Sequence, residues 1–170
     1  MSVSSSTSAT LACGACKHSN APEAQFCGGC GHFLHEKCVQ CGGLVSLTQK
    51  FCVGCGQDLN AWLEKRIEEQ RTKLSDAVTA AKSHNYDRAL GLLNLLAKSD
   101  DYRFQAVREQ AVAAKGKVES LQEKVHTQAS QRIAAAKDAH SQNDLSTAVK
   151  LLAQVPENLR DEESRRILQN

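Results

Sequence analysis

The stretch that decides the fold is "FCGGCG" at Phe26 to Gly31, which returns as "FCVGCG" at Phe51 to Gly56. The chain of 170 residues contains eight cysteines, all between Cys13 and Cys55. They form four C-x-x-C pairs: Cys13/Cys16, Cys27/Cys30, Cys38/Cys41 and Cys52/Cys55. A shift of 25 residues places the first two pairs on the last two, Phe26 on Phe51, Gly29 on Gly54, Gly31 on Gly56 and Leu34 on Leu59. One small unit is therefore written twice.

Each unit reads C-x2-C-x10-C-x2-C. A C-x-x-C turn presents two thiolates on one side of a tight knuckle, and two facing knuckles supply the four sulfurs of a tetrahedral zinc site. Ten intervening residues suffice for a short hairpin that brings the chain back. Gly31, Gly42 and Gly56 follow the second cysteine, where the backbone often needs positive φ. Lys17 stands at that place in the first knuckle, the least regular of the four. Eight cysteines could instead pair as disulfides in about 105 ways. Disulfides require an exported protein, and Met1 to Thr10 has neither a basic start nor an apolar run. In a reducing cytoplasm, the location this implies, the pattern reads as metal-binding.

The stretches "CKHSNAPEAQFCGGCGHFL" and "CVQCGGLVSLTQKFCVGCGQDL" resemble the double zinc ribbon family over about residues 11–59. The resemblance implies two structural zinc ions per chain, the first on Cys13, Cys16, Cys27 and Cys30, the second on Cys38, Cys41, Cys52 and Cys55. A cross-braced alternative would join pairs one and three, and pairs two and four. The exact repeat favours successive sites, since each copy then closes its own. His18, His32 and His35 could substitute as ligands but are expected to be solvated loop residues. The family occurs across unrelated multidomain proteins, often ahead of signalling or enzymatic domains, which implies a docking accessory.

Four cysteines per metal leave no open coordination position, and the chain has no phosphate-binding Gly-rich loop, H-E-x-x-H or G-x-S-x-G motif. No enzyme activity is expected. Around the cysteines Lys17, Lys37 and Lys50 balance Glu23, Glu36 and Asp58, and two zinc–tetrathiolate sites bring the metallated module to about −4. Nucleic-acid surfaces are basic. Net charge for the whole chain is +2, with the charges interspersed.

After Asn60 the chain is helical on every signal. A first helix near 59–83, capped by Asp58 or Asn60, carries a stripe of Leu63, Ile67, Leu74, Ala77 and Ala81. A second, near 86–98, is apolar nearly all round and is expected to be the buried one. The third, near 101–141, repeats Phe104, Val107, Ala111, Ala114, Val118, Leu121 and Val125, then resumes out of phase at Ala129, Ile133, Ala136 and His140, a stutter. Shorter helices follow near 144–154 and, opened by Pro156, 157–169. An offset of 59 residues aligns "ALGLL" at 89–93 with "AVKLL" at 148–152 and "SHNYD" with "SQNDL". These helical hairpins weakly resemble tetratricopeptide-like repeats, although their spacing departs from that family's.

The expected architecture is thus a disordered tail over 1–10, a β-hairpin module of tandem zinc ribbons over 11–58, and an all-α helical-repeat, coiled-coil-like domain over 59–170. The leading function is a non-enzymatic, cytoplasmic interaction or scaffold module with a protein partner and no membrane association. It would be a monomer or weak homodimer, part of a larger assembly or longer chain, with its docking surface at the C-terminal end. Nucleic-acid or transcription-machinery binding through the ribbons is the alternative. Thiol redox or zinc sensing is the second.

Overall fold

The computed structural model describes residues 10–169, so the expected disordered tail lies, Thr10 apart, outside the described residues. Two small antiparallel hairpins come first. Strand β1 (Leu11–Ala12) pairs with β2 (Ser19–Asn20), and β3 (His35–Lys37) with β4 (Leu44–Ser46). Isolated bridges join Phe26 to Phe33 and Phe51 to Asp58, the same Phe of the repeat in each copy. Five helices follow: α1 (Leu59–Lys82), α2 (Tyr86–Ala97), α3 (Gln105–Ser141), α4 (Leu145–Ala153) and α5 (Glu162–Ile167).

Packing divides the chain into two compact units. One comprises the described residues up to Lys73 together with Leu96–Glu109; the other comprises Leu74–Leu95 and the described residues from Gln110 onward. The change from strand to helix at residue 59 is not the boundary between them, because α1 begins inside the first core. Its first residue, Leu59, is buried in a cluster with Cys38, Val45 and Cys52. Asp58, rather than Asn60, caps the helix, its Oδ1 accepting from the N–H groups of Asn60 and Ala61 at 2.9 and 3.0 Å.

The turns of both helical hairpins lie in the second unit, and the offset of 59 residues is structural. His84 and Asn143 are both left-handed, with φ of 57° and 62°. Each ends its long helix the same way: Asn85 N–H donates to Ala80 O, and Asp144 N–H to Ala139 O, both at 2.9 Å. The same two residues cap the next helix, Asn85 accepting from Arg88 N–H and Asp144 from Thr147 N–H. Small residues sit at equivalent buried places, Ala77 with Ala136 and Ala89 with Ala148, beside the fully buried Leu93 and Leu152.

Three expectations are corrected. Helix α2 is not buried all round: Ala89, Leu93 and Leu96 are buried, but Leu95 is 70% exposed. At about 100° per residue Leu95 lies nearly opposite Leu93, and a helix in a hairpin has neighbours on only part of its circumference. The third helix begins at Gln105, after a 3-10 turn over Tyr102–Phe104 that Asp101 caps. It then runs unbroken through Gly116, and its buried positions step eleven residues from Val118 to Ala129, the phase shift of a stutter.

The third correction concerns the C-terminal segment, where Pro156 opens only a 3-10 turn over Glu157–Leu159. Arg160 is extended, with ψ of 130°, and Asp161 starts α5 by accepting from Ser164 N–H at 2.8 Å. That bend returns Ile167 onto Ala136, Ala148 and Leu152, with Leu168 beside it. Ile167 is therefore buried in this chain's own core, with Leu168 partly buried beside it.

Candidate metal centre

All four knuckles close with the same two backbone bonds. The first cysteine's N–H donates to the carbonyl five residues on, as Cys13 to His18 and Cys52 to Gln57, both at 2.9 Å. Its carbonyl accepts from the N–H four residues on: Lys17, Gly31, Gly42 and Gly56 at 2.8 to 2.9 Å. Those four residues are all left-handed, with φ of 65° at Lys17 and 73° to 75° at the glycines. Lys17 thus adopts the conformation of the residues it replaces, without their freedom from a Cβ clash. Replacing Lys17 by Gly is expected to stabilise the zinc-loaded protein by about 0.5 kcal/mol, relief of strain exceeding the gain in unfolded-chain entropy. Thermal unfolding of the two proteins side by side checks the sign.

The knuckles bring the eight sulfurs into two groups: Cys13, Cys16, Cys27 and Cys30, and Cys38, Cys41, Cys52 and Cys55. Within each, all ligand atoms lie within 4.8 Å of one another. Closest Sγ separations are 3.7 Å for Cys13–Cys30, 3.5 Å for Cys16–Cys27, 3.7 Å for Cys38–Cys55 and 3.6 Å for Cys41–Cys52. A disulfide would hold its sulfurs at about 2.05 Å. A tetrahedron with Zn–S bonds of about 2.3 Å has edges of about 3.8 Å, so the spacing fits zinc. The sites are successive, each closed by one copy of the repeat, and not cross-braced.

In every knuckle the first cysteine is buried, while Cys16, Cys30 and Cys41 are exposed and Cys55 is half-buried. The thiols of one group pull apart in acidity. At Cys27 burial opposes ionisation, but N–H groups of Gly29 and Cys30 and the side chains of Cys16 and Asn20 outweigh it, lowering the thiol to about 6. At Cys30 the bond from the His32 backbone favours the thiolate, yet the thiols of Cys16, Cys13 and Cys27, with desolvation, push it up to about 12. In the second site Cys38 falls to about 7, chiefly through backbone bonds from Cys41 and Gln40. Cys55 rises to about 12: the Gln57 backbone bond opposes the rise, while burial and its three neighbouring thiols drive it. Four thiolates cannot crowd together without a cation between them, and zinc supplies that charge. With four sulfurs around it, each metal is fully enclosed by protein ligands, as in structural sites.

Two supporting roles escaped the sequence reading. Asn20 is buried; its Nδ2 donates to Leu11 O and His18 O and approaches Cys27 Sγ at 3.7 Å, and its Oδ1 accepts from Gly28 N–H at 2.9 Å. It ties β1 and β2 to the second knuckle. The equivalent position in the second copy is Val45, buried in an apolar cluster, so the two sites are held by different means. That Asn-for-Val difference, visible at the repeat offset, was the available signal. His32 is not simply a solvated loop residue, for its Nδ1 lies 3.2 Å from Cys30 Sγ, within hydrogen-bonding reach of that ligand.

The first unit also contains a network of charges beside the ribbon. Arg103, only 9% exposed at its side chain, donates through Nη1 and Nη2 to Glu36 at 2.7 and 2.9 Å and through Nε and Nη2 to Asp101. Arg66 lies 3.8 Å from Glu36 and stacks over the rings of Trp62 and Phe104. Tyr102 lies against the first knuckle so closely that a Cβ on Gly14 would fall 1.9 Å from its hydroxyl.

No curated protein and no solved structure matches the chain. The family model of the double zinc ribbon matches residues 13–56, a span that starts at the first ligand of one site and ends one residue past the last ligand of the other. Sequence repeat, sulfur geometry and family match agree on the same eight ligands, and residues 13–56 are a double zinc ribbon with two structural zinc sites.

Proposed function

We propose that this chain is a non-enzymatic docking module in which the zinc ribbon presents a protein-binding surface and the helical hairpins form the accompanying scaffold. The observation that carries the reading is the concentration of uncovered apolar side chains on the ribbon. Phe26, Phe33, Val39, Leu44, Phe51 and Val53 are all exposed, Val53 to 87%. Exposed apolar side chains gathered on so small a module mark interaction surfaces rather than ordinary solvent-facing ones. Zinc staples the module, so it can hold its apolar residues outward without needing them for a core. Clustered thiolates need reducing surroundings, which supports a cytoplasmic setting, and no described helix is long and apolar enough to cross a membrane.

A photo-crosslinking residue at position 53 in the native source is the test. Discrete protein adducts, absent when Val39 and Leu44 are also changed to Ser, support the reading; adducts with nucleic acid alone refute it. One observation favours the nucleic-acid alternative: exposed Phe26, Phe33 and Phe51 could stack on unpaired bases. The balanced charge of the ribbon opposes it, and a mobility shift weakening steeply with salt would be its signature. Of the stripe that starts at Phe104 and runs along α3, Phe104, Val107, Ala111 and Val118 are buried in this chain while Leu121 is 44% exposed, which fits a monomer or weak homodimer rather than a tight coiled-coil dimer. Sedimentation at micromolar concentration reads that directly.

A further inference from the structure

We propose that a cleft of about 230 Å³ beside the first zinc site, walled by Phe33, Leu47 and Tyr102, receives one basic side chain of a docking polypeptide. The proposal rests on the docking reading and names the chemistry of the partner. Size comes first. Small-molecule sites enclose about 300–1,000 Å³, so this cleft suits a single anchoring side chain rather than a cofactor. Its walls are mostly apolar, and Phe33 at its lip is 59% exposed although its ring stacks on Phe26 at 4.9 Å. An aliphatic stem laid along Phe33 and Tyr102 would cover that area.

Charge decides what the stem carries. Three carboxylates line the cleft, Glu36, Asp100 and Asp101. Glu36 and Asp101 share Arg103, whose Nε and both terminal nitrogens already donate to them, with Arg66 near Glu36. Asp100 is exposed and forms no ion pair or hydrogen bond through its carboxylate with another described residue. Three carboxylates against two guanidiniums leave a negative charge at the mouth. The adjoining zinc–tetrathiolate site adds to it: His32, bonded to Cys30 Sγ, lies edge-on to Tyr102 at 5.8 Å. A phosphate would meet this field with Arg103 already engaged. A guanidinium or ammonium group would meet Asp100 in front of it and an aromatic face beside it, the pairing that favours a cation.

The test is an amide NMR titration of the zinc-loaded full chain with acetyl-Gly-Arg-Gly-amide, its lysine counterpart, and the neutral citrulline counterpart of the same shape. The basic peptides are expected to shift the amides of Leu47, Asp100 and Tyr102, and citrulline to bind about tenfold more weakly. Asp100→Asn, a surface change outside the Arg103 network, is expected to weaken the arginine peptide about threefold. Equal binding of arginine and citrulline, no response to Asp100→Asn, or shifts confined elsewhere overturns the assignment. If basic peptides leave the cleft unperturbed while the crosslinker at position 53 still captures protein, the cleft assignment falls and the docking reading stands. If the cleft binds arginine while position 53 captures no protein, the docking reading fails alone.

Discussion

Stripping zinc with a chelator unfolds the ribbon and, with it, part of the helical structure. Structural zinc contributes about 10–16 kcal/mol of apparent folding free energy per site at neutral pH, as much as the whole stability of an ordinary domain. Against that, the apolar support of each site is a handful of side chains: Leu34 with Leu11 and Ala24 in the first, Val45 and Leu59 in the second. Cores of that size do not fold alone. Because Leu59 is the first residue of α1, and Arg103 is tied to Glu36 in β3, the loss extends into the start of α1 and the residues around Arg103. Hydrogen exchange on the chelated protein is expected to show lost protection over Leu59–Lys73 and retained protection around Ala136, Ala148 and Leu152, with far-UV helical signal falling only in part. Loss of protection in both places would mean that the second unit has no stability of its own. A milder version uses Cys52→Ser, which should lower bound zinc from two ions per chain to one; a stoichiometry still at two would sink the ligand assignment.

The second large effect is expected at Arg103. Changing it to Met leaves Glu36 and Asp101, both less than a quarter exposed, facing each other without their shared cation. Breaking such a pair from one side costs about 3 kcal/mol, because the stranded charges keep their desolvation penalty. The pH dependence tests the cause. Burial pushes the Asp101 carboxyl up, but the hydrogen bonds and charge of Arg103, helped by Arg66, outweigh it and hold the group below the usual carboxylate range. Its contribution to stability is therefore complete above the unfolded value of about 3.9 and is lost as pH falls through the lower folded value. In the Met variant the balance reverses, and protonation of the stranded carboxyls relieves the repulsion. The difference between the two proteins should be largest at neutral pH and shrink in acid. Trp62, the only tryptophan, belongs to the same unit, stacked under Arg66, so its fluorescence during urea unfolding reports the region that matters. A gap that stays constant from pH 7 to about pH 4 would show that Arg103 acts through packing alone.

The metal sites could be read from the sequence almost in full because everything that makes them is local. A knuckle is five or six residues long, its stereochemistry is set by zinc, and the repeat offset told each copy where to close. The same holds for the helix ends at Asn85 and Asp144, where a left-handed residue and a capping side chain act within one turn. Misreadings came where neighbours decide. The apolar circumference of α2 suggested full burial, but Leu95 has no neighbour over it; Pro156 suggested a helix start, but Asp161 caps better and Ile167 gains a core by the bend.

By itself, then, the sequence determined the two four-sulfur sites, the presence of five helices and the duplication of both motifs, since each follows from spacing or from periodicity within one element. Tertiary structure alone decided that Arg103 would find Glu36, separated from it by 67 residues, and that Phe33 and Val53 would be left outside. Those outcomes depend on which surfaces meet when the chain folds back, and meeting is a property of distant segments that no local pattern encodes.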